Sequence, residues 1–420
     1  MDIMYWRLIA DVIGNYIGFP YVQNLFGARQ TGKSTLLHKV FPNPALWLDL
    51  SNPQERTRYL AHPGEFIAEC NNLAKTKSPH IVVVDEAQTV PAIFDAVQSL
   101  YDADKTRWQF VLCGSSARKM RLSGANLLPG RSLYRRLFTL SVMERPFPVE
   151  QTGVGEPWPL AVAALFPGLG SSANLFPPCD LDERLAYGEL PGIVMAETKV
   201  RAPLLQSYAA IYLEEEIRRE GLVRDWGAFA RFLQLSAAES GRMLNIAAIS
   251  REAGVSVQAI KSYYQLLEDM FIGFRVNAFS QSSRKHLFST PRFFFFDAGV
   301  RHAAAGLTPG MDLVKADPGP IFEQWVGQEL WKRLQYLGRG RLYYYRTKSG
   351  AEIDFVVELD GRFIPVEVKW TEHPTVGDAA HIVRFIHDLP GKTERGYVVC
   401  RCRHPMQLHA QVTALPVRMI

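Results

Sequence analysis

The chain has 420 residues, 47% hydrophobic and 21% charged, an ordinary globular composition long enough for two or three domains. That excludes a disordered chain, a collagen-like fibre and a small disulfide scaffold. Lys+Arg 47 against Asp+Glu 42 leaves a formal charge of +5, which permits a polyanionic partner without demanding one. No stretch approaches the ~18 consecutive apolar residues of a membrane span. The start, Met1 to Arg7, lacks a signal-peptide pattern, and the five scattered cysteines form no CxxC pair. The expectation is a cytoplasmic protein with no membrane partner.

In chain order, short apolar strands are expected at Tyr21–Phe26, Ala45–Leu50, Ile81–Val84, Phe110–Cys113 and Ser132–Leu140, with a helix over Ser34–Val40. Strand–helix alternation at this spacing predicts a parallel sheet covered on both faces over residues 1–145. Residues 146–180 are rich in proline and glycine and read as a linker or insertion. Helical spacing fills most of 181–307, with an aromatic strand at Phe293–Phe296. After a loop, 321–420 reads as a helix, strands at Leu342–Arg346, Ile353–Glu358 and Arg362–Trp370, then a helix at Ala379–His387.

Gly27-Ala28-Arg29-Gln30-Thr31-Gly32-Lys33-Ser34 matches G-x-x-x-x-G-K-[ST], with Thr35 next. The glycines let backbone N–H groups wrap phosphates, Lys33 reaches the outer phosphates, and the Ser34 hydroxyl ligates Mg²⁺. The run Val82-Val83-Val84-Asp85-Glu86 brings Asp85 to a strand end as the second Mg²⁺ group and Glu86 as the carboxylate that polarises water. Ser115 and Ser116, after the strand ending at Cys113, are candidates to touch the terminal phosphate. Arg131, with Arg135 and Arg136 behind it, is a candidate charge-stabilising arginine, in cis or from a neighbouring subunit.

Further on, Ile246 to Ser256 reads as helix, Gly254 turn and second helix, with Gln258, Lys261, Ser262 and Tyr264 facing solvent. In the C-terminal part, strand alternation places Glu367 and Lys369 on one face of their strand, and Ile353, Phe355 and Val357 form the apolar face of its neighbour. Asp354 and Glu367 are then candidate Mg²⁺ ligands, Lys369 positions water or stabilises developing charge, and Glu323 is an accessory acid. Arg341, Arg346, Lys348 and Arg362, interleaved with Tyr343, Tyr344 and Tyr345, form a basic fringe suited to nucleic acid.

The order GARQTGKST, WLDL, VVVDEAQ, CGSSAR and PGR resembles the AAA-type ATPase module of a large group of bacterial and archaeal proteins, in which it is fused to a C-terminal domain of unknown function. YGELPG at 187–192, FDAG at 296–299 and EIDFVVE…PVEVK resemble further recurrent segments of that group. The layout D…E-x-K, with Asp354, Glu367 and Lys369, resembles the PD-(D/E)xK nuclease superfamily, although Ile353 stands where its motif has proline. The resemblance implies an α/β protein: a P-loop NTPase parallel sheet, then a helical winged-helix-like middle, then an α/β restriction-endonuclease-like C-terminal domain. It implies ATP and Mg²⁺ as cofactors, DNA as a partner, and a homo-oligomer as a candidate assembly. The reading is an ATP-hydrolysing protein acting on DNA with a candidate Mg²⁺-dependent nuclease; the alternative is an ATP-dependent switch whose nuclease-like domain binds without cleaving.

Overall fold

The computed structural model describes residues 5–116, 130–148, 158–167, 174–219, 221, 223, 225–280 and 290–420. The chain forms two units, Met1–Thr139 with Asp269–Ile272, and Leu140–Glu268 with Gly273–Ile420.

In the first unit, the strands β1 (Val22–Phe26), β2 (Leu46–Asp49), β3 (His80–Asp85), β4 (Trp108–Gly114) and β5 (Ser132–Arg136) lie in the order β2-β3-β4-β1-β5, all parallel. β1 and β4 are buried throughout, as parallel strands covered on both faces require. The helices α1 (Leu8–Gly14), α2 (Lys33–Val40), α3 (Pro53–Ala61), α4 (Gly64–Asn72) and α5 (Ala92–Ala103) accompany them. α3 starts as a helix should, with Pro53 in its first turn and the Asn52 side chain accepting from Gln54 N. From β1 the chain passes over β4 and β3 to β2, returns through β3 and β4, and then crosses to β5. That reversal puts a crevice at the carboxyl end of β1, where open α/β sheets bind ligands. β5 is shorter than the expected Ser132–Leu140: it ends at Arg136, and Leu137 N makes the last bond to β1, donating to Phe26 O at 2.7 Å.

The second unit is built on an eight-stranded mixed sheet, β12-β13-β11-β10-β9-β8-β6-β7. Its strands are β6 (Gly273–Ala278), β7 (Arg292–Phe295), β8 (Arg341–Arg346), β9 (Glu352–Leu359), β10 (Arg362–Val368), β11 (Gly396–Cys400), β12 (Met406–His409) and β13 (Val412–Pro416). β6 pairs with β8, so the middle region and the C-terminal region share one sheet. Its helices include α6 (Leu181–Tyr187), α7 (Thr198–Ser207), α8 (Trp226–Ala238), α9 (Ile246–Ala253), α10 (Val257–Asp269), α11 (Ala298–Ala304), α12 (Pro318–Leu337) and α13 (Ala380–Asp388). Phe322, Trp325 and Leu330 of α12 share one core with Phe355, Val357 and Val366; Ile382 and Phe385 of α13 share another with Ile353 and Val356.

The stretch expected as a linker contributes to this core: Trp158 and Leu160 are buried, and Arg333 lies over the Trp158 ring. The segments YGELPG and FDAG meet in space. Asp297 caps α11 by accepting from Val300 N and also accepts from Glu189 N at 2.7 Å. Gly188 has φ 70°, and a Cβ there would fall 2.1 Å from Asp297 Oδ1, so only glycine fits. Burial pushes the Asp297 carboxyl up to about 6 despite those two donors.

Phe355 lies between α12 and the Phe294 ring, with Gly327 close enough that a Cβ would sit 2.6 Å from Phe355 Cζ. Phe355→Ala should therefore destabilise the second unit by roughly 3–5 kcal/mol, measured by chemical denaturation, because the helix cannot close the void. A loss below about 1 kcal/mol would contradict this packing.

Candidate functional site

Two groups of side chains carry chemistry, one in each unit. In the first, β1 ends at Phe26 and the loop turns at Gly27, where a Cβ would lie 2.1 Å from Leu137 O. Gln30 and Gly32 both take left-handed backbone, at φ 60° and 89°, before α2 begins at Lys33. The loop from Gly27 to Gly32 thus delivers its backbone to a helix N-terminus, the arrangement that favours phosphate. Lys33 is buried and donates from Nζ to Gly27 O and Ala28 O, both at 2.9 Å, and Thr31 Oγ1 donates to Ala28 O at 2.9 Å. Ser34 and Thr35 are exposed on the first turn of α2, and Arg29 is partly buried. Arg7 was missed in the sequence. It is buried and donates to Thr31 O at 2.7 Å and Phe138 O at 2.6 Å, bracing the loop from behind.

Asp85 closes β3, buried, with its Oδ1 accepting from Glu86 N at 2.9 Å. Glu86 is a non-glycine residue at φ 53°, a strained conformation that turns its carboxylate off the strand. Gln88, also missed, donates from Nε2 to Glu86 Oε2 at 2.5 Å and to Ser115 Oγ at 3.0 Å; Ser115 Oγ donates to the same Glu86 oxygen at 3.4 Å. A Cβ on Gly114 would fall 2.1 Å from Gln88 Oε1, so the bare strand tip makes room for the amide. The signal lay in VVVDEAQ, where the glutamine sits two residues past the glutamate. Ser34 and Asp85 supply only oxygen ligands, which suits Mg²⁺.

Arg131 requires a correction. It precedes β5, whose Ser132 is in register with Val22 at the start of β1, and it pairs with Asp102 at 3.0 Å. It therefore lies at the amino end of the strands, opposite the phosphate loop, and does not complete the site in cis. Arg135 and Arg136 lie in register with Leu25 and Phe26, at the loop's end of β1.

In the second unit, strict alternation fails at Asp354. β8 pairs Tyr343 with Val356 but Tyr345 with Ile353, so Asp354 and Phe355 together face Tyr344. This bulge sends Ile353 into the core under α13 and Phe355 into the core under α12, correcting the single apolar face expected from the sequence. Asp354 Oδ2 accepts from Val368 N at 2.8 Å, across from Glu367. Lys369 Nζ donates to Glu367 Oε1 at 2.7 Å, and Glu367 Oε2 is buried with no hydrogen-bond partner among the described residues. Burial, then repulsion from Asp354, pushes Glu367 up to about 7. Burial also raises Asp354, against the Val368 donor and Lys369.

Glu323 is raised to about 8 by burial and then by Asp354. Its Oε1 is held by Arg292 at 2.7 Å, and Arg292 also grips Glu352. Among the described residues no three His, Cys, Asp or Glu side chains gather as a metal site, so the structure does not bring Glu323 in as a third ligand. The fringe differs as well. Tyr343 and Tyr344 are buried, their hydroxyls donating to Glu358 Oε2 and Thr290 O, and Tyr345 packs on Phe385, so these rings are core and not a stacking platform. Arg362 pairs with Glu394.

α9 ends at Gly254 in left-handed backbone, and Ser256 Oγ accepts from Ala259 N to cap α10. The antiparallel β6–β7 pair follows. Gln258, Lys261 and Ser262 are exposed, but Tyr264 is buried between Phe232 and Phe293, because it falls on the apolar stripe with Ile260 and Leu267.

Residues 20–145 match the family model of the AAA domain. Residues 179–310 and 318–420 match two domains of unknown function, DUF8612 and DUF4143. Uncharacterized proteins of Mycobacterium bovis and Mycobacterium tuberculosis are each 25% identical over 398 residues, 94% of this chain and 80% of theirs. One from Haemophilus influenzae is 21% identical, covering 83% of this chain and 82% of its own. A solved Walker-type ATPase of Pyrococcus abyssi is 14% identical, with a TM-score of 0.44 over 72% of this chain and 96% of that one. The AAA match and the parallel sheet support an AAA-type P-loop ATPase module. No described helix is long and apolar enough to cross a membrane.

The buried acids give a pH signature. Glu367 and Glu323 titrate near 7 and 8 in the folded chain, above their ordinary 4.5. A raised carboxyl stabilises the fold in its neutral form, so this contribution is complete below about pH 4.5 and lost as pH rises through 7 to 8. Glu367→Gln removes one such titration. Its thermal midpoint should gain on the parent's by a few degrees between pH 5 and 8; a difference that stays flat over that range would contradict the burial of this charge.

Proposed function

We propose that the first unit binds and hydrolyses ATP with Mg²⁺ and that the second acts on nucleic acid. The observation that carries the first part is the Glu86–Gln88–Ser115 network at the tips of β3 and β4, in the same sheet as the phosphate loop. Gly27 to Thr35 would cradle the phosphates, and Ser34 and Asp85 would hold Mg²⁺, which neutralises charge on the outer phosphates when bound. One Glu86 oxygen is fixed by Gln88 and Ser115, leaving the other to take a proton from the attacking water. Ser115 is also placed to read the terminal phosphate, so Gln88 would link phosphate and base.

In the second unit, Asp354 and the unpartnered Glu367 Oε2 are the groups that would hold Mg²⁺, which polarises a phosphodiester and lowers the pKa of water. Lys369 would stabilise developing charge. The helix–turn–helix of α9 and α10 offers Gln258 and Lys261 as groove contacts. A second reading is favoured by the ion pair that ties Glu323 to Arg292, with no third carboxylate joining Asp354 and Glu367 among the described residues: an ATP-dependent switch whose C-terminal fold binds nucleic acid without cutting. Plasmid incubated with Mg²⁺, with and without ATP, separates the two: cleavage lost in Glu367→Ala supports the nuclease, and intact plasmid with ATP turnover supports the switch.

For the ATPase, Glu86→Gln should lower turnover on the order of a hundredfold while MgATP still binds. Gln88→Ala should lower turnover by about tenfold, a barrier change near 1.4 kcal/mol, again with binding preserved. Phosphate release and nucleotide titration measure both. Turnover unchanged in Glu86→Gln would overturn the assignment of the base.

A further inference from the structure

A cleft of about 440 Å³ opens in the second unit, and four arginines line it: Arg242, Arg292, Arg301 and Arg346. They come from the α8–α9 connection, β7, α11 and β8. Segments so distant in sequence have no local reason to gather one charge. Three carboxylates share the walls, Asp317, Glu323 and Glu352, and two of them are held by Arg292.

The arginines differ in what occupies them. Arg301 donates to Ala237 O at 2.9 Å and Ala238 O at 3.3 Å, capping the end of α8 and fixing its charge in the wall. Arg292 is buried against the Tyr344 ring. Arg346 reaches Glu352 only at 3.7 Å and Met243 Sδ at 3.8 Å. Arg242 is exposed; its backbone N–H donates to Glu239 O at 2.9 Å, and its guanidinium, in the field of the Glu239 carboxyl, has no hydrogen bond or ion pair among the described residues. Two exposed guanidiniums thus have donors to spare, while Glu323 and Glu352 are held by Arg292 and the exposed Asp317 lies in the field of Arg301.

We propose that this cleft binds the backbone of single-stranded nucleic acid, with Arg242 and Arg346 taking successive phosphates. A guanidinium fork matches a phosphate bidentately, which a lysine fringe would not. The volume is that of a ligand pocket, which a flexible single strand can follow with its phosphates more readily than a rigid duplex. Glu323 lies on the cleft wall and is also within the field of Asp354 and Glu367, so a bound strand runs beside the carboxylate pair. The proposal rests on the nucleic-acid reading of the second unit and deepens it.

The test is anisotropy of a labelled oligothymidylate with the full chain in EDTA, so that nothing is cleaved. The proteins are the parent, Arg242→Ala, Arg346→Ala, the double variant and Arg242→Lys. The double variant should bind on the order of tenfold or more weakly, and its log K against log salt should flatten by about 0.7 for each lost phosphate contact. Arg242→Lys should keep the parent's salt slope, since the charge remains. A double variant with the parent's affinity and slope overturns the cleft and leaves the nucleic-acid reading standing. A parent that binds no oligonucleotide overturns both. A duplex bound as tightly as the strand, with the same loss in the double variant, overturns the choice of single strands.

Discussion

A carboxylate at a buried strand must be met by donors or lose its charge, and both candidate sites are organised around that constraint. At the tip of β3 the donors are supplied: Glu86 N serves Asp85, and Gln88 with Ser115 serves Glu86. At the bulge in β9 they fall short. Val368 N serves Asp354 and Lys369 serves one oxygen of Glu367, while the other oxygen is left buried and bare. The first site is a carboxylate held by donors, which the proposed function uses as a base, and the second is an acid pair short of a donor, which a divalent cation would relieve.

The same constraint explains Arg292. Three acidic side chains, Glu323, Glu352 and Asp354, come close enough to interact, and the arginine takes the first two for itself. The Asp354–Glu367 pair is thereby separated from the acid that a three-ligand cluster would need. The arginine also lines the cleft, so the group that holds these acids shares its wall with Arg242 and Arg346.

Local signals in the sequence were enough for the parallel sheet and for the phosphate loop, because both are written in contiguous residues: apolar runs, then Gly27 to Ser34. The readings that failed depended on contacts distant in sequence. Arg131 sits near a candidate loop in the chain, yet the register of β5 against β1 carries it to the far end of the sheet. Period-two alternation placed Ile353 with Phe355, and one extra residue in β9 sent them to opposite cores. Tyr264 looked like a solvent-facing position until Phe232 and Phe293 closed over it. β11 to β13 drew no assignment, since each is a run of only four or five residues. Gln88 stands in VVVDEAQ and Arg7 in no motif, and only the fold shows what each of them holds.

The central claim is that the loop from Gly27 to Thr35 takes the phosphates of ATP through Lys33. Equilibrium titration of a fluorescent ATP analogue with Mg²⁺ against the full chain, beside a Lys33→Ala variant of unchanged circular dichroism, tests it most directly. The account predicts saturable binding by the parent, competed by ATP, and a loss on the order of a hundredfold or more when the lysine's charge-assisted contacts are removed. Equal affinity in the two proteins, or no binding by the parent, would contradict it.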